Sequence, residues 1–139
     1  MNNNEATLSI NNAICAHSMW KLRLYSAIST GTTDANVETV KCDDKCEFGK
    51  WLYGNEIDSG TKQGSHYEGI RRLHAEFHKC AAEVLGHAVG GKKDDALHMF
   101  SGEFSNRSNT LVRALTKWKH ELTPDLPVWN DFQKLLNAL

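Results

Sequence analysis

The chain has 139 residues, 40% of them apolar and 24% charged, which is the size and composition of one globular domain with a modest core. Its 16 basic and 17 acidic side chains give a formal net charge of -1, so no excess of positive charge favours nucleic acid or an anionic membrane surface. No stretch has the pattern of a secretory signal or a membrane span. We therefore expect one cytoplasmic domain, residues 1–139, with no nucleic-acid partner and no membrane insertion.

The first half of the chain predicts one long helix and one short helix. Apolar side chains and a histidine recur at steps of three or four, as on the buried face of a helix: Ile10, Ile14, His17, Trp20, Leu24 and Ile28. Residues 29–40 are rich in Gly, Thr, Asp and Asn, which predicts a loop. Asp43 or Asp44 is a candidate N-cap for a short helix over residues 46–53.

The second half predicts two further long helices and an amphipathic tail. Ser65 is a candidate N-cap for a helix over 66–89, whose inward face carries Tyr67, Ile70, His74, Phe77, His78, Ala81, Leu85 and Ala88. A helix from Lys92 to Leu122 has a near-heptad stripe that ends before Pro124. A short helix after Pro127 presents Val128, Phe132, Leu135 and Leu139. We predict an all-α fold: an antiparallel four-helix bundle with a short metal-bearing helix and a C-terminal amphipathic helix.

Histidine and cysteine interrupt the apolar stripes on three of these helices. His74 and His78 lie one helical turn apart on the same face, so both imidazoles can bind one ion inside the bundle. His17 and Cys46 can complete a tetrahedron. Three imidazoles and one thiolate suit Zn²⁺, and four protein ligands leave no position for an activated water. The pattern predicts a zinc site that binds rather than catalyses, supported by a carboxylate or by carbonyl groups.

Cys46 is also the candidate redox-reactive residue. A cysteine in the first turn of a helix lies near the positive end of the helix dipole, which favours the thiolate. A zinc-bound thiolate can still be oxidised, and its oxidation removes one ligand from the metal. The other cysteines, at positions 15, 42 and 80, are expected to lie outside the site.

Three blocks of this sequence resemble the chemoreceptor zinc-binding domain family. They are HSMW at 17–20, CEFGKW at 46–51 and HAEFH at 74–78. The middle block is the most specific, because it fixes Cys46, Phe48, Gly49 and Trp51 together. The resemblance covers about residues 13–122 and leaves 123–139 as a C-terminal extension. It implies that His17, Cys46, His74 and His78 bind zinc, and that Trp20, Phe48 and Trp51 pack around the metal.

The resemblance also implies a role in bacterial signalling. Members are commonly dimeric and are attached to chemoreceptors or diguanylate cyclases, where zinc occupancy or oxidation of the cysteine, for example by hypochlorous acid, changes the output. We therefore expect a zinc-dependent sensory or regulatory module and a homodimer, formed through an exposed apolar side of residues 97–122 or through the tail. A signalling partner of either type is compatible with this expectation.

Three other interpretations compete with the sensor. The zinc could act only as a structural staple in a dimerisation or interaction module, with the same ligands. A metalloprotease is disfavoured, because Ala75 occupies the position that its glutamate would need and Glu76 points about 200° away from the first histidine. A di-iron bundle is disfavoured because no carboxylate lies on the predicted inward stripes. The protein is therefore not expected to be an enzyme.

Overall fold

The computed structural model describes residues 3–122 and 137–138, and every regular element in these ranges is helical. The elements are α1 (Asn3–Thr30), α2 (Val37–Lys41), α3 (Glu47–Leu52), α4 (Ser59–Lys62), α5 (Ser65–Val89), α6 (Lys93–Met99), a π-helical turn (Phe100–Phe104) and α7 (Ser105–Leu122). The all-helical prediction is confirmed for this part of the chain.

Three long rods pack against one another: α1, α5 and the continuous helix formed by α6, the π-helical turn and α7. Arg107 pairs with Glu76, and His66 pairs with Glu121, so α7 runs antiparallel to α5. On its other side α7 packs against α1, where the Lys21 ammonium donates to the Asn109 side chain. Tyr25 lies beside Phe100, so α7 is antiparallel to α1 as well. Helices α1 and α5 therefore point in the same direction, and residues 31–64 carry the chain back between them.

The described residues contain three long helices, so they do not establish the predicted four-helix bundle. The amphipathic helix expected after Pro127 lies outside the described residues. Two short helices within polar stretches were missed. Each carries a recognisable cap, because the Asn36 side chain accepts from the Thr39 N–H and the Asp58 side chain accepts from the Thr61 N–H.

The core forms where the inward stripes of the three rods meet. All eight residues predicted for the inward face of α5 are buried. On α1 the buried stripe is broader than predicted and begins at Ala6, within a helix that starts seven residues before Ile10. Three residues of α7 reach the same core: Leu111, Leu115 and Trp118. The apolar side of α7 is therefore used inside the molecule.

The π-helical turn keeps the third rod in register with this core. Ala96 of α6 and Phe104 at the end of the turn are both fully buried, although a step of eight residues in a regular α-helix would drift about 80° past two full turns. The wider turn absorbs part of that drift, so both side chains face the core. Phe104 packs against Phe77 of α5, with ring centroids 5.3 Å apart.

None of the helices in the described ranges combines the length and the hydrophobicity that a membrane-spanning helix needs.

Candidate metal centre

His17 lies on the buried face of α1, beside the two histidines of α5. Its imidazole is 2% exposed, and its Nδ1 lies 2.7 Å from the carbonyl oxygen of Ala13, one turn earlier in the same helix. A carbonyl only accepts hydrogen bonds, so Nδ1 carries the proton and donates it. The Nε2 of His17 therefore presents a lone pair toward the interior.

His74 and His78 lie one turn apart on α5 and face His17, as the sequence predicts. The Nδ1 of His78 donates to the carbonyl oxygen of Val40 over 2.8 Å, which fixes its tautomer in the same way. This contact also holds α2 against α5. The Nδ1 of His74 is buried and has no hydrogen-bond partner among the described residues, so no carbonyl fixes the tautomer of this ring.

Cys46 is itself the N-cap of α3, instead of lying in the first turn behind Asp43 or Asp44. Its Sγ accepts the N–H of Gly49 over 3.4 Å. The sulfur lies 3.4 Å from the Nε2 of His74, 3.5 Å from that of His78 and 4.0 Å from that of His17. The structure thus brings together all four side chains that the sequence singled out.

The spacing of the four atoms suits a zinc ion. The Nε2 atoms of His17 and His78 are each 3.0 Å from that of His74, and they are 3.4 Å from one another. A tetrahedron built on zinc bond lengths of 2.0–2.3 Å needs edges of about 3.3 Å between nitrogens and about 3.6 Å between sulfur and nitrogen. The observed edges scatter around these values, so the donor set is consistent with Zn²⁺.

The hydrogen bonds of the imidazoles also point to a cation. The Nε2 lone pairs of His17 and His78 face each other over 3.4 Å in the buried cluster, because both Nδ1 atoms donate to carbonyls. Two lone pairs at this distance repel each other, and a cation bound by both nitrogens removes that repulsion. The expected support for the metal is supplied by the carbonyls of Ala13 and Val40.

Burial determines the protonation of the four groups in the metal-free protein. It lowers the pKa of His17 to about 4 and that of His74 to about 2, and it lowers the pKa of His78 as well. The imidazoles are therefore neutral, as metal ligation requires. Burial also raises the pKa of the Cys46 thiol, and this effect is larger than the lowering that the Gly49 N–H produces. The helix dipole was expected to favour the thiolate, but in the metal-free protein burial has the larger effect on the Cys46 pKa.

Aromatic rings surround the cluster. Phe48 lies edge-on to His17 and His74, and Trp51 packs between Phe48 and Trp118. Phe77, which the sequence indicated only as a core residue, lies edge-on to His17, with centroids 5.1 Å apart. Among the site residues, the backbone carbonyl of Val40 was missed, because no side-chain pattern can reveal it.

The remaining cysteines are not among the four close donors, and the carboxylate whose charge acts on Cys46 and His78 is that of Asp43. Cys15 is exposed, Cys80 is buried away from the cluster, and the Cys42 thiol donates to the Glu38 carbonyl. Glu76 forms an ion pair with Arg107. Within the described residues, the group of close metal-binding atoms contains no carboxylate, which is the donor a di-iron site requires.

One side of the cluster borders an open cleft between α1 and the α3 region, with a volume of about 680 Å³. Its walls include His17 and Trp20 from α1, and Cys46, Phe48 and Trp51 from the α3 region. His74 and His78 are not part of its walls and are almost completely buried.

Comparison with known proteins identifies part of this chain. Residues 17–85 match the model of a family described as the chemoreceptor zinc-binding domain, which is a shorter stretch than the 13–122 expected from the resemblance. Comparison with curated proteins and with solved structures gave no significant match.

Proposed function

We propose that this protein, whose residues 17–85 match the chemoreceptor zinc-binding domain family, is a regulatory module that holds one Zn²⁺ per chain through His17, Cys46, His74 and His78. The observation that carries the proposal is the pair of Nε2 lone pairs of His17 and His78, which face each other in a buried site beside a thiol. With four protein ligands, the role is regulatory rather than catalytic.

Zinc binding would link three parts of the fold that are far apart in the sequence. His17 lies on α1, Cys46 caps α3, and His74 and His78 lie on α5. Bound zinc supplies the cross-link and keeps the Cys46 sulfur ionised. Without it, the six-residue helix α3 depends on the packing of Phe48 and on the bond from the Tyr67 hydroxyl to the Leu52 carbonyl.

Cys46 is the ligand best placed to act as a switch. It is half-buried, whereas the three histidines are almost fully buried. Hypochlorous acid would form an S–O bond with the Cys46 thiolate and release chloride, so that sulfur is oxidised to a sulfenic acid while chlorine is reduced. The product is a poorer zinc ligand, and α3 would then be released from α1 and α5.

The proposed output is a change in contact with a second copy or with a bacterial signalling protein of the chemoreceptor or diguanylate cyclase type. For the homodimer we propose the outer side of α1, which exposes large apolar residues: Leu8, Met19, Leu22 and Tyr25. The side of α7 expected to mediate this contact packs mostly inside the molecule. We further propose that residues 1–139 act as one domain in the cytoplasm.

The experiment is metal analysis of purified protein before and after treatment with hypochlorous acid, on native protein and on the Cys46→Ala and Cys15→Ala variants. Native protein and Cys15→Ala should hold one zinc and lose it on oxidation. Cys46→Ala should bind zinc more weakly by at least about 100-fold, since it removes a direct ligand. A native protein that takes up no zinc would overturn the proposal.

A structural staple is the second candidate, favoured by the cross-linking position of the site between α1, α3 and α5. The two candidates differ in their response to metal removal. A sensor changes helix arrangement or self-association when zinc leaves or Cys46 is oxidised, whereas a staple only loses stability. Sedimentation and far-UV circular dichroism below the melting transition, with and without zinc, distinguish them.

A further inference from the structure

The cleft between α1 and the α3 region reaches the proposed metal site from one side only. It borders Cys46 and His17, but neither His74 nor His78. The three histidines are 2%, 0% and 3% exposed, while Cys46 is half-buried. An ion or a small molecule approaching through this cleft therefore meets the sulfur first, with His17 as the imidazole in the cleft wall.

We propose that this cleft is the access route by which zinc, small chelators and thiol-directed molecules reach the site. The proposal rests on the proposed function for its metal. Its geometry depends on the small side chains that face the cleft from α1: Ser9, Asn12, Ala13 and Ala16. These residues follow one another at helical spacing and leave the groove open beside His17.

The charges at the rim suit a cation. Glu47 and Glu56 border the cleft together with Lys50. The ammonium of Lys50 lies 3.7 Å from the carboxylate of Glu47, and both side chains are well exposed, so this pair is weak and the excess at the rim is negative. A hydrated divalent ion would thus be attracted to the opening before it exchanges water for protein donors.

Ala16 offers the sharpest test of the route. It is exposed, it lines the cleft one position before His17, and it is not a proposed ligand. An Ala16→Phe substitution should fill the groove and leave the four donor atoms in place. Ser18→Phe, on the opposite and exposed side of α1, is the matched control. Because that side is also the one proposed for the homodimer, all variants are compared at a dilution at which the native protein is monomeric. Asn12→Phe serves as a second cleft-filling variant if Ala16→Phe does not fold.

Two rates should be measured. The first is the release of zinc to an excess of a coloured chelator, together with uptake by metal-free protein. The second is alkylation of Cys46 by iodoacetamide in metal-free protein whose other cysteines are replaced. Filling the cleft should slow each rate by about tenfold or more, because the site is reached only after local opening. Zinc content at equilibrium should be unchanged, and Ser18→Phe should behave like native protein.

The outcomes separate this inference from the proposed function. Native rates in a folded Ala16→Phe protein that still binds one zinc would overturn the access route and leave the zinc proposal intact. A native protein that binds no zinc would overturn the proposed function, and the alkylation rates would still report whether the cleft leads to Cys46. Equal slowing by Ser18→Phe would also overturn the route.

Discussion

Gly49 lies directly against the backbone carbonyl of Asp43, so a Cβ at this position would be only 2.8 Å from the carbonyl carbon and closer still to its oxygen. This close approach packs the backbone at Asp43, which precedes α3, directly against α3. It lets the N–H of Gly49 reach the Cys46 sulfur while Asp43 remains beside it. The CEFGKW block therefore has a glycine at position 49 because any side chain there would collide with the Asp43 backbone.

This contact predicts opposite effects for two glycine substitutions. Gly49→Ala should destabilise the protein by about 1–3 kcal/mol or more and weaken zinc binding, because the backbone at Asp43 cannot move like a flexible side chain. Gly86→Ala, in the last turn of α5 with open space around it, should stabilise by up to about 0.5–1 kcal/mol. Urea unfolding of the metal-free proteins measures both. A stabilising Gly49→Ala would contradict the observed packing.

The buried histidines predict how stability depends on pH. In the folded metal-free protein the pKa of His17 is about 4 and that of His74 about 2, whereas both ordinarily lie near 6.5. Below pH 6.5 the unfolded chain therefore binds protons that the folded chain excludes. The free energy of unfolding should fall as the pH drops from about 6.5 toward 4, by up to about 1.4 kcal/mol per pH unit for each histidine.

Urea titrations at several pH values between 7.5 and 4.5 measure this slope. The His78→Gln variant should show a shallower slope, because one of the buried imidazoles is gone. Bound zinc should raise the unfolding free energy at neutral pH and lose this effect as acid protonates the ligands. A free energy that does not change over this range would refute burial of the imidazoles in a neutral form.

The Tyr67 hydroxyl predicts a stability difference between two tyrosines. It donates to the carbonyl of Leu52 over 2.8 Å in a buried position, which ties the end of α3 to α5. Tyr67→Phe should cost about 1–2 kcal/mol, since it leaves that carbonyl without a donor. Tyr53→Phe removes the exposed bond to Asp43 and should cost less. Thermal or urea unfolding of both variants checks the order, and the reverse order would contradict it.

The exposed side of α1 predicts where self-association occurs. Leu22 is 64% exposed on that side, and Leu97 is 38% exposed on α6. Leu22→Glu should turn the proposed dimer into a monomer, because it places a charge within an apolar contact. Leu97→Glu should leave the dimer intact. Sedimentation velocity over a range of concentrations compares them, and a dimer that resists Leu22→Glu but not Leu97→Glu would reverse the assignment.

The sequence predicted the grouping of the four candidate ligands better than the arrangement of the helices. The i, i+4 spacing of His74 and His78 and the inward stripe around them determined their position, because a long amphipathic helix has only one buried face. The direction of α1 relative to α5 was left open. It depends on the course of residues 31–64, where the short helices α2 and α4 have too few residues to show periodicity.

Other differences have local physical causes. The cap of α3 was placed at Asp43 or Asp44 on residue preference, but the Cys46 sulfur accepts the N–H of Gly49 instead. The long helix α5 begins at Ser65 after Gly64, without a side-chain cap. The contact of His78 with the Val40 carbonyl could not be predicted, because every residue has a backbone carbonyl whatever its side chain.

The shared direction of α1 and α5 has a practical consequence for anyone who attaches probes to this protein. Because α7 runs opposite to both of them, the beginning of α1 and the end of α7 lie at one pole of the molecule, and the Thr30 and Val89 ends of α1 and α5 lie at the other. Labels on opposite poles would report a change in length along the rods, whereas a pair at one pole would report how far the rods separate at that end.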